Sequence, residues 1–120
     1  MSHTKTMSVA NESDIVLLRM QVRDLARAIG MTLADQARIS LAASAVAKAI
    51  GLGTTHRGQV TLSDCSRDGR TGVRVVCTSK NGKTDHTPGA LGDARWMVDE
   101  LTFETLPSKE VQVTLVKWRE

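Results

Sequence analysis

The stretch from Asp35 to Ile50 constrains the fold of this chain more than any other part of the sequence. Thr32 precedes it as a helix N-cap with Asp35 three residues on, as in a capping box, and Gly51 and Gly53 end it. Its apolar residues recur at helical spacing and several are small: Ile39, Ala42, Ala43, Val46 and Ile50. Since small residues allow a helix to pack closely on a sheet, the stretch predicts a layered α/β fold.

An earlier helix is predicted by a second apolar stripe with alternating spacings of three and four: Ile15, Leu18, Val22, Leu25 and Ile29. Residues 11–14 offer a cap and first-turn acids, and Gly30 offers a C-terminal cap. The stripe predicts a core face, although a helix that lies in a partner's groove would show the same pattern. Before it, the run from Thr4 to Val9 is β-prone and suits an edge strand.

A hairpin is predicted by two alternating runs, Gln59–Cys65 and Gly72–Thr78, around a turn at Asp68-Gly69. This turn pairs Leu62 with Val75, Val60 with Cys77, and Cys65 with Gly72. The inner face of the hairpin would hold Val60, Leu62, Val73, Val75 and Cys77. The two cysteines then lie on opposite faces and too far apart for a disulfide, which favours a reduced, cytoplasmic protein.

The remaining sequence predicts a polar loop over 79–89, a third helix over 90–99 and a final hairpin with strands 101–105 and 111–117. The order is β-α-α-β-β-α-β-β. It predicts an α/β two-layer sandwich in which three helices pack on one face of a mixed sheet of about five strands. A chain of 120 residues is expected to form a single domain, residues 1–120.

Composition and spacing argue against several functions. Because 16 basic residues are scattered among 13 acids and only 3 residues are Trp or Phe, a nucleic-acid partner is not expected. No apolar run is long enough to cross a bilayer, and residues 1–6 have no signal core, so neither a membrane nor export is expected. His3, His56 and His86 have no metal-ligand spacing, so no metal site is predicted.

Six short segments carry a resemblance to a known family: Ser13-Asp14-Ile15-Val16, Arg23-Asp24-Leu25-Ala26, Leu33-Ala34-Asp35-Gln36-Ala37-Arg38-Ile39, Ala43-Ser44-Ala45-Val46-Ala47-Lys48, Met97-Val98-Asp99-Glu100-Leu101 and Val113-Thr114-Leu115-Val116-Lys117-Trp118. With the order of the elements, they resemble the small, switch-type anti-sigma-factor serine kinases of bacteria. These belong to the histidine-kinase-like ATPase (GHKL) superfamily. The resemblance covers nearly the whole chain and implies that superfamily's fold.

The resemblance also implies where catalysis would take place. The family's second helix typically carries Ser-Glu-Leu-Ala-Arg-Asn, in which the glutamate is the general base and the asparagine holds the Mg²⁺ of ATP. Residues 44–49 of this chain read Ser-Ala-Val-Ala-Lys-Ala, so the base position is Ala45 and the metal position is Ala49. A methyl group can neither take a proton nor bind a metal, so no catalytic residue carries over.

The family's other two nucleotide motifs are also incomplete in this chain. Its Asp-x-Gly-x-Gly motif, whose aspartate binds adenine, falls on residues 78–83, which puts Ser79 at the adenine position. Gly82 remains of the glycines, and an Asn-Gly turn explains it as well. The glycine-rich phosphate lid is short, and Gly89 belongs to what remains of it. A helix start there is a generic anion site, but a plain loop explains the same residues, so no cofactor-binding residue is assigned.

Three functional hypotheses follow from the resemblance. The first is a regulatory pseudokinase, without ATP or Mg²⁺ as cofactor, that binds a protein in a sigma-factor or stress-response switch; the partner would be a sigma factor, a STAS-domain antagonist or a phosphatase. The alternative is an atypical active serine kinase that binds Mg-ATP and phosphorylates a STAS-type antagonist. The third is a scaffold that forms a homodimer, or a heterodimer with a catalytic relative, through the edge at residues 4–9.

Overall fold

The computed structural model describes residues 4–53, 57–80 and 88–119. Its elements are β1 (Thr4–Val9), α1 (Glu12–Ala28), α2 (Leu33–Ala49), β2 (Gly58–Arg67), β3 (Arg70–Ser79), α3 (Pro88–Met97), β4 (Glu100–Thr105) and β5 (Val111–Trp118). The predicted order β-α-α-β-β-α-β-β is therefore confirmed. None of the described helices is long and apolar enough to cross a membrane.

Local signals set the ends of the first two helices. The Asn11 side chain accepts the backbone N–H of Asp14 at 3.0 Å, and the Thr32 hydroxyl accepts that of Asp35 at 3.2 Å. Both predicted N-caps are therefore confirmed. Gly30 has a φ of +88°, and the N–H after it closes α1 by bonding to the carbonyl of Ala26 at 3.0 Å, so the predicted glycine cap is confirmed as well.

The five strands form one sheet in the order β1-β2-β3-β5-β4, and every neighbouring pair is antiparallel. The prediction of a mixed sheet is wrong on this point. Two helices separate β1 from β2, so the chain returns to the sheet in the opposite direction. A single helix separates β3 from β4 and leaves them parallel, but β5 lies between them and runs antiparallel to both.

The β2–β3 hairpin has the predicted register, with Leu62 opposite Val75, Val60 opposite Cys77, and Cys65 opposite Gly72. Asp68 and Gly69 both have positive φ, 53° and 79°, as a two-residue turn of type I′ requires. Both cysteines are free thiols, as the predicted register implies. Burial raises the pKa of the Cys77 thiol to about 12, and burial also raises the pKa of the Cys65 thiol.

The three helices lie on one face of the sheet, and the core fills the space between the layers. α1 contacts β1, β2 and β3, α2 contacts β3 and β5, and α3 packs against α2. The predicted apolar faces of α2 and of the β2–β3 hairpin are buried. The stripe on α1 is buried at Ile15, Leu18 and Val22 and partly buried at Leu25 and Ile29. The predicted two-layer arrangement is therefore confirmed.

Candidate functional site

Ala45 and Ala49 lie one turn apart on α2, and Ala49 is on the flank that is turned away from α1. Ser40 marks the opposite flank, because its hydroxyl donates to the backbone carbonyl of Arg19 on α1 at 3.2 Å. Ala49 follows Ser40 by about two and a half helical turns and therefore points the other way. Both alanines are partly exposed. Helix α2 therefore presents methyl groups at the two positions to which the resemblance assigns a base and a metal ligand.

The described part of the chain also has no ligand set of the kind that metal ions require. Within residues 4–53, 57–80 and 88–119, no group of three or more His, Cys, Asp or Glu side chains could hold a metal ion. His3, His56 and His86 lie outside the described residues, and so does Gly82. Gly89 belongs to the first turn of α3.

Ser79, at the position of the family's adenine-binding aspartate, lies at the end of β3 and has no exposed surface. Its neighbours across the sheet are Gly58 of β2 and Val111 of β5. The surroundings are tightly packed, since a Cβ placed on Gly58 would overlap the carbonyl of Thr78 and come within 2.6 Å of Leu52 Cδ2. Among the described residues, the Ser79 hydroxyl is the one buried side-chain polar atom without a protein hydrogen-bond partner. It is therefore a packed group and not part of an open surface.

Two of the segments that carry the resemblance, residues 35–39 and 113–118, come together through the carboxylate of Asp35. Its Oδ1 lies 2.9 Å from Arg38 Nη1 and 3.5 Å from Lys117 Nζ. Asp35 is 3% exposed and Lys117 is 8% exposed, so this ion pair is shielded from water. Gln36 donates to the backbone carbonyl of Met31 at 2.9 Å and holds the turn before the helix. The ion pair between Asp35 and Lys117 joins the first turn of α2 to β5.

Trp118 forms a cluster on the sheet face that the helices leave open. The guanidinium groups of Arg67 and Arg70 lie over its ring, 5.1 Å and 4.6 Å from the ring centroid. Its indole N–H donates to Glu100 at 3.3 Å, and Arg67 binds the same carboxylate at 2.8 Å. Gly72 is needed beneath the ring, because a Cβ there would come within 2.8 Å of Trp118 Cε3. No spacing in the sequence links Trp118 to the two arginines, so this cluster was not predicted.

A groove of about 300 Å³ runs between the outer sides of α1 and α2. Its apolar lining includes three large exposed side chains: Val16 (48% exposed), Met20 (57%) and Leu41 (49%). The apolar stripe in the sequence predicted one apolar face on α1, and this second face was not predicted. The available signal was the pair Val16 and Met20, which lie one turn apart and outside the core stripe.

Comparison with known proteins confirms the resemblance. The chain is 25% identical over 132 residues to the serine/threonine-protein kinase RsbT of Bacillus subtilis (strain 168), and the match covers 98% of each chain. No family model matches the chain.

Among solved structures, the chain is similar to one that contains the RsbU and RsbW domains of Rv1364c from Mycobacterium tuberculosis. The TM-score is 0.68 at 17% sequence identity, with 98% of this chain and 33% of that chain covered. This chain thus spans about a third of the solved chain. This match confirms the predicted α/β two-layer fold, which this chain shares with that structure.

Proposed function

We propose that this chain is a regulator of the partner-switching type that binds a protein and has lost Mg-ATP chemistry. Likeness to a serine/threonine-protein kinase over 98% of both chains supports a kinase-like regulatory role. The loss is supported above all by the flank of α2 that carries Ala45 and Ala49. Phosphoryl transfer needs an oriented nucleophile and neutralised phosphate charge, and methyl groups supply neither.

Two further observations support loss of nucleotide binding as well as loss of catalysis. Ser79 has no exposed surface, so its hydroxyl is not presented to a ligand in this structure. The alignment with RsbT extends over 132 residues, which exceeds the 120 residues of this chain, so it contains gaps in this chain. Such gaps suit a shortened phosphate lid. One missing group can be replaced by another, whereas three reduced motifs indicate that the nucleotide function was abandoned.

The partner class follows from the family resemblance and stays a prediction: a sigma factor, a STAS-domain antagonist or a phosphatase. A cytoplasmic location and pairing with a second copy or with a catalytic relative stay predictions too.

Titration calorimetry with ATP and Mg²⁺ tests the proposal, with B. subtilis RsbT as the reference protein. We expect the chain to bind Mg-ATP more weakly than about 1 mM, if at all. The matched variant is Ala45→Glu with Ala49→Asn, which restores the family residues at two partly exposed positions. Tighter Mg-dependent binding by this variant, with a circular dichroism spectrum equal to that of the parent, would support the assignment of both positions. Mg-dependent binding of ATP by the parent chain at micromolar affinity would refute the proposal.

Phosphotransfer tests the alternative of an active kinase. The chain is incubated with labelled ATP, Mg²⁺ and a STAS-domain protein, and RsbT is tested in parallel with the same substrate. We expect label on the substrate only in the RsbT reaction. Transfer by this chain would show that other groups replace the missing base and metal ligand.

A further inference from the structure

The groove between α1 and α2 has none of the nucleotide-motif positions Ala45, Ala49 and Ser79 in its lining, although Leu41, which lines it, precedes Ala45 by one helical turn. Val16 and Met20 line it from α1, and Ala37 and Leu41 line it from α2. The core residues of α1, such as Leu18, are buried against the sheet. Helix α1 therefore has two apolar faces, one in the core and one in the groove. The described residues leave the second one uncovered.

The groove is formed before any partner arrives. The Ser40 hydroxyl binds the carbonyl of Arg19 in the middle of the groove and joins the two helices there. Each helix has 17 residues and begins with a side-chain cap, at Asn11 for α1 and at Thr32 for α2. A preformed, capped pair of helices needs little ordering on binding, which favours affinity.

The charge along the groove indicates what kind of partner fits. Arg19 and Arg23 line it one turn apart, and neither forms an ion pair within the described part of the chain. Nearby arginines outside the groove behave differently, since Arg27 pairs with Asp24 and Arg38 pairs with Asp35. Two uncompensated guanidinium groups beside an apolar strip complement a surface that carries both apolar side chains and carboxylates.

We propose that this groove binds an acidic amphipathic helix of a partner protein. Its apolar residues, spaced three and four apart, would pack on Val16, Met20 and Leu41, and its carboxylates would bind Arg19 and Arg23. A second copy of this chain does not suit the groove, because a symmetric pairing would bring the same arginines together. The inference rests on the proposed function, since it names the surface through which the regulator binds its partner.

A pair of designed peptides tests the charge requirement. Both are fluorescein-labelled helices with the same leucine stripe; one carries glutamates beside the stripe and the other carries lysines. Fluorescence anisotropy with the full chain is expected to show the acidic peptide binding at least about tenfold more tightly, with an affinity that falls as salt rises. Equal affinity for the two peptides, or no binding of the acidic one, would overturn the proposal.

Variants test the location. Met20→Glu with Leu41→Glu is expected to abolish binding, and Leu33→Glu is the matched control, because Leu33 is 81% exposed and does not line the groove. Arg19→Glu with Arg23→Glu is expected to reverse the preference toward the lysine peptide. A merely unfolded variant would lose both peptides, so the reversal is specific to the charge contact. Equal loss in the Leu33 control would place the site elsewhere.

Two measurements separate the possible failures. Sedimentation of the free chain reports whether a second copy fills the groove; a dimer that Met20→Glu dissociates would overturn the proposed partner. The Mg-ATP titration is run on the same preparation. If the chain distinguishes the two peptides and also binds ATP at micromolar concentration, the proposed loss of nucleotide chemistry is refuted and the proposed groove is supported. If it neither distinguishes the peptides nor binds ATP, the proposed groove is refuted and the loss of nucleotide chemistry is supported.

Discussion

Replacing Asp35 by alanine is expected to lower the free energy of unfolding by about 3–5 kcal/mol, the usual range for breaking a buried ion pair by removing one partner. Asp35 is the shared partner of Arg38 and Lys117. The Lys117 side chain is 10% exposed, so the substitution leaves a shielded ammonium group without its counter-charge. Most of the loss comes from that stranded charge.

Substitutions of the two partners, Arg38 and Lys117, are expected to lower the free energy of unfolding by less than Asp35→Ala does. Arg38→Ala should cost about 0–1 kcal/mol, because the Arg38 side chain is 55% exposed and surface ion pairs contribute little. Lys117→Met should cost less than Asp35→Ala, since Arg38 still neutralises the carboxylate. The double variant Asp35→Leu with Lys117→Met should recover much of the loss, because no charge is then left buried.

Urea unfolding followed by circular dichroism measures these differences, provided that the slope with denaturant is unchanged. For a domain of this size, the loss in Asp35→Ala corresponds to a fall in Tm on the order of 10 °C. Asp24→Ala is the matched control, because the Asp24–Arg27 pair is exposed on both sides, and it should change stability by less than about 0.5 kcal/mol. If Asp35→Ala costs less than about 1 kcal/mol, or if Arg38→Ala costs as much, the reasoning is refuted.

Three more outcomes are expected. Gly72→Ala should lower Tm because its Cβ would meet the Trp118 ring, whereas Gly92→Ala in α3, where a Cβ meets nothing within 4 Å, should stabilise by about 0.5–1 kcal/mol; thermal melts compare the two. Burial raises the pKa of the Cys77 thiol to about 12, so the folded state holds this proton more tightly than the unfolded state does. The contribution of Cys77 to the free energy of unfolding is therefore complete below about pH 9 and is lost as the pH rises toward about 12. The slope is about 1.4 kcal/mol per pH unit in alkaline urea titrations, and Cys77→Ala should remove it. A thiol reagent should label the half-buried Cys65 of the native chain and reach Cys77 only after unfolding, as mass spectrometry of digests would show.

Much of the fold was predictable because its signals are local. Asn11, Thr32 and Gly30 each end or begin a helix through contacts within one helical turn. The turn at residues 68–69 sets the hairpin register, because each residue of β2 then has one opposite residue on β3. Strands β3 and β4 are parallel, and whether they pair directly depends on where β5 inserts, which no local pattern encodes. The mixed sheet was therefore predicted wrongly.

Some features of the candidate site also follow from local sequence, whereas others depend on the tertiary structure. The sequence by itself determined that Ala45 and Ala49 share a flank of α2, because helical spacing places residues four apart on one side. The burial of Ser79, the ion pair between Asp35 and Lys117, and the arginines around Trp118 were decided only by the tertiary structure. Each of them joins elements that are distant along the chain, and burial depends on what the other layer covers. The groove between α1 and α2 belongs to this second group, because an apolar residue becomes a binding surface only where the packed fold leaves it exposed.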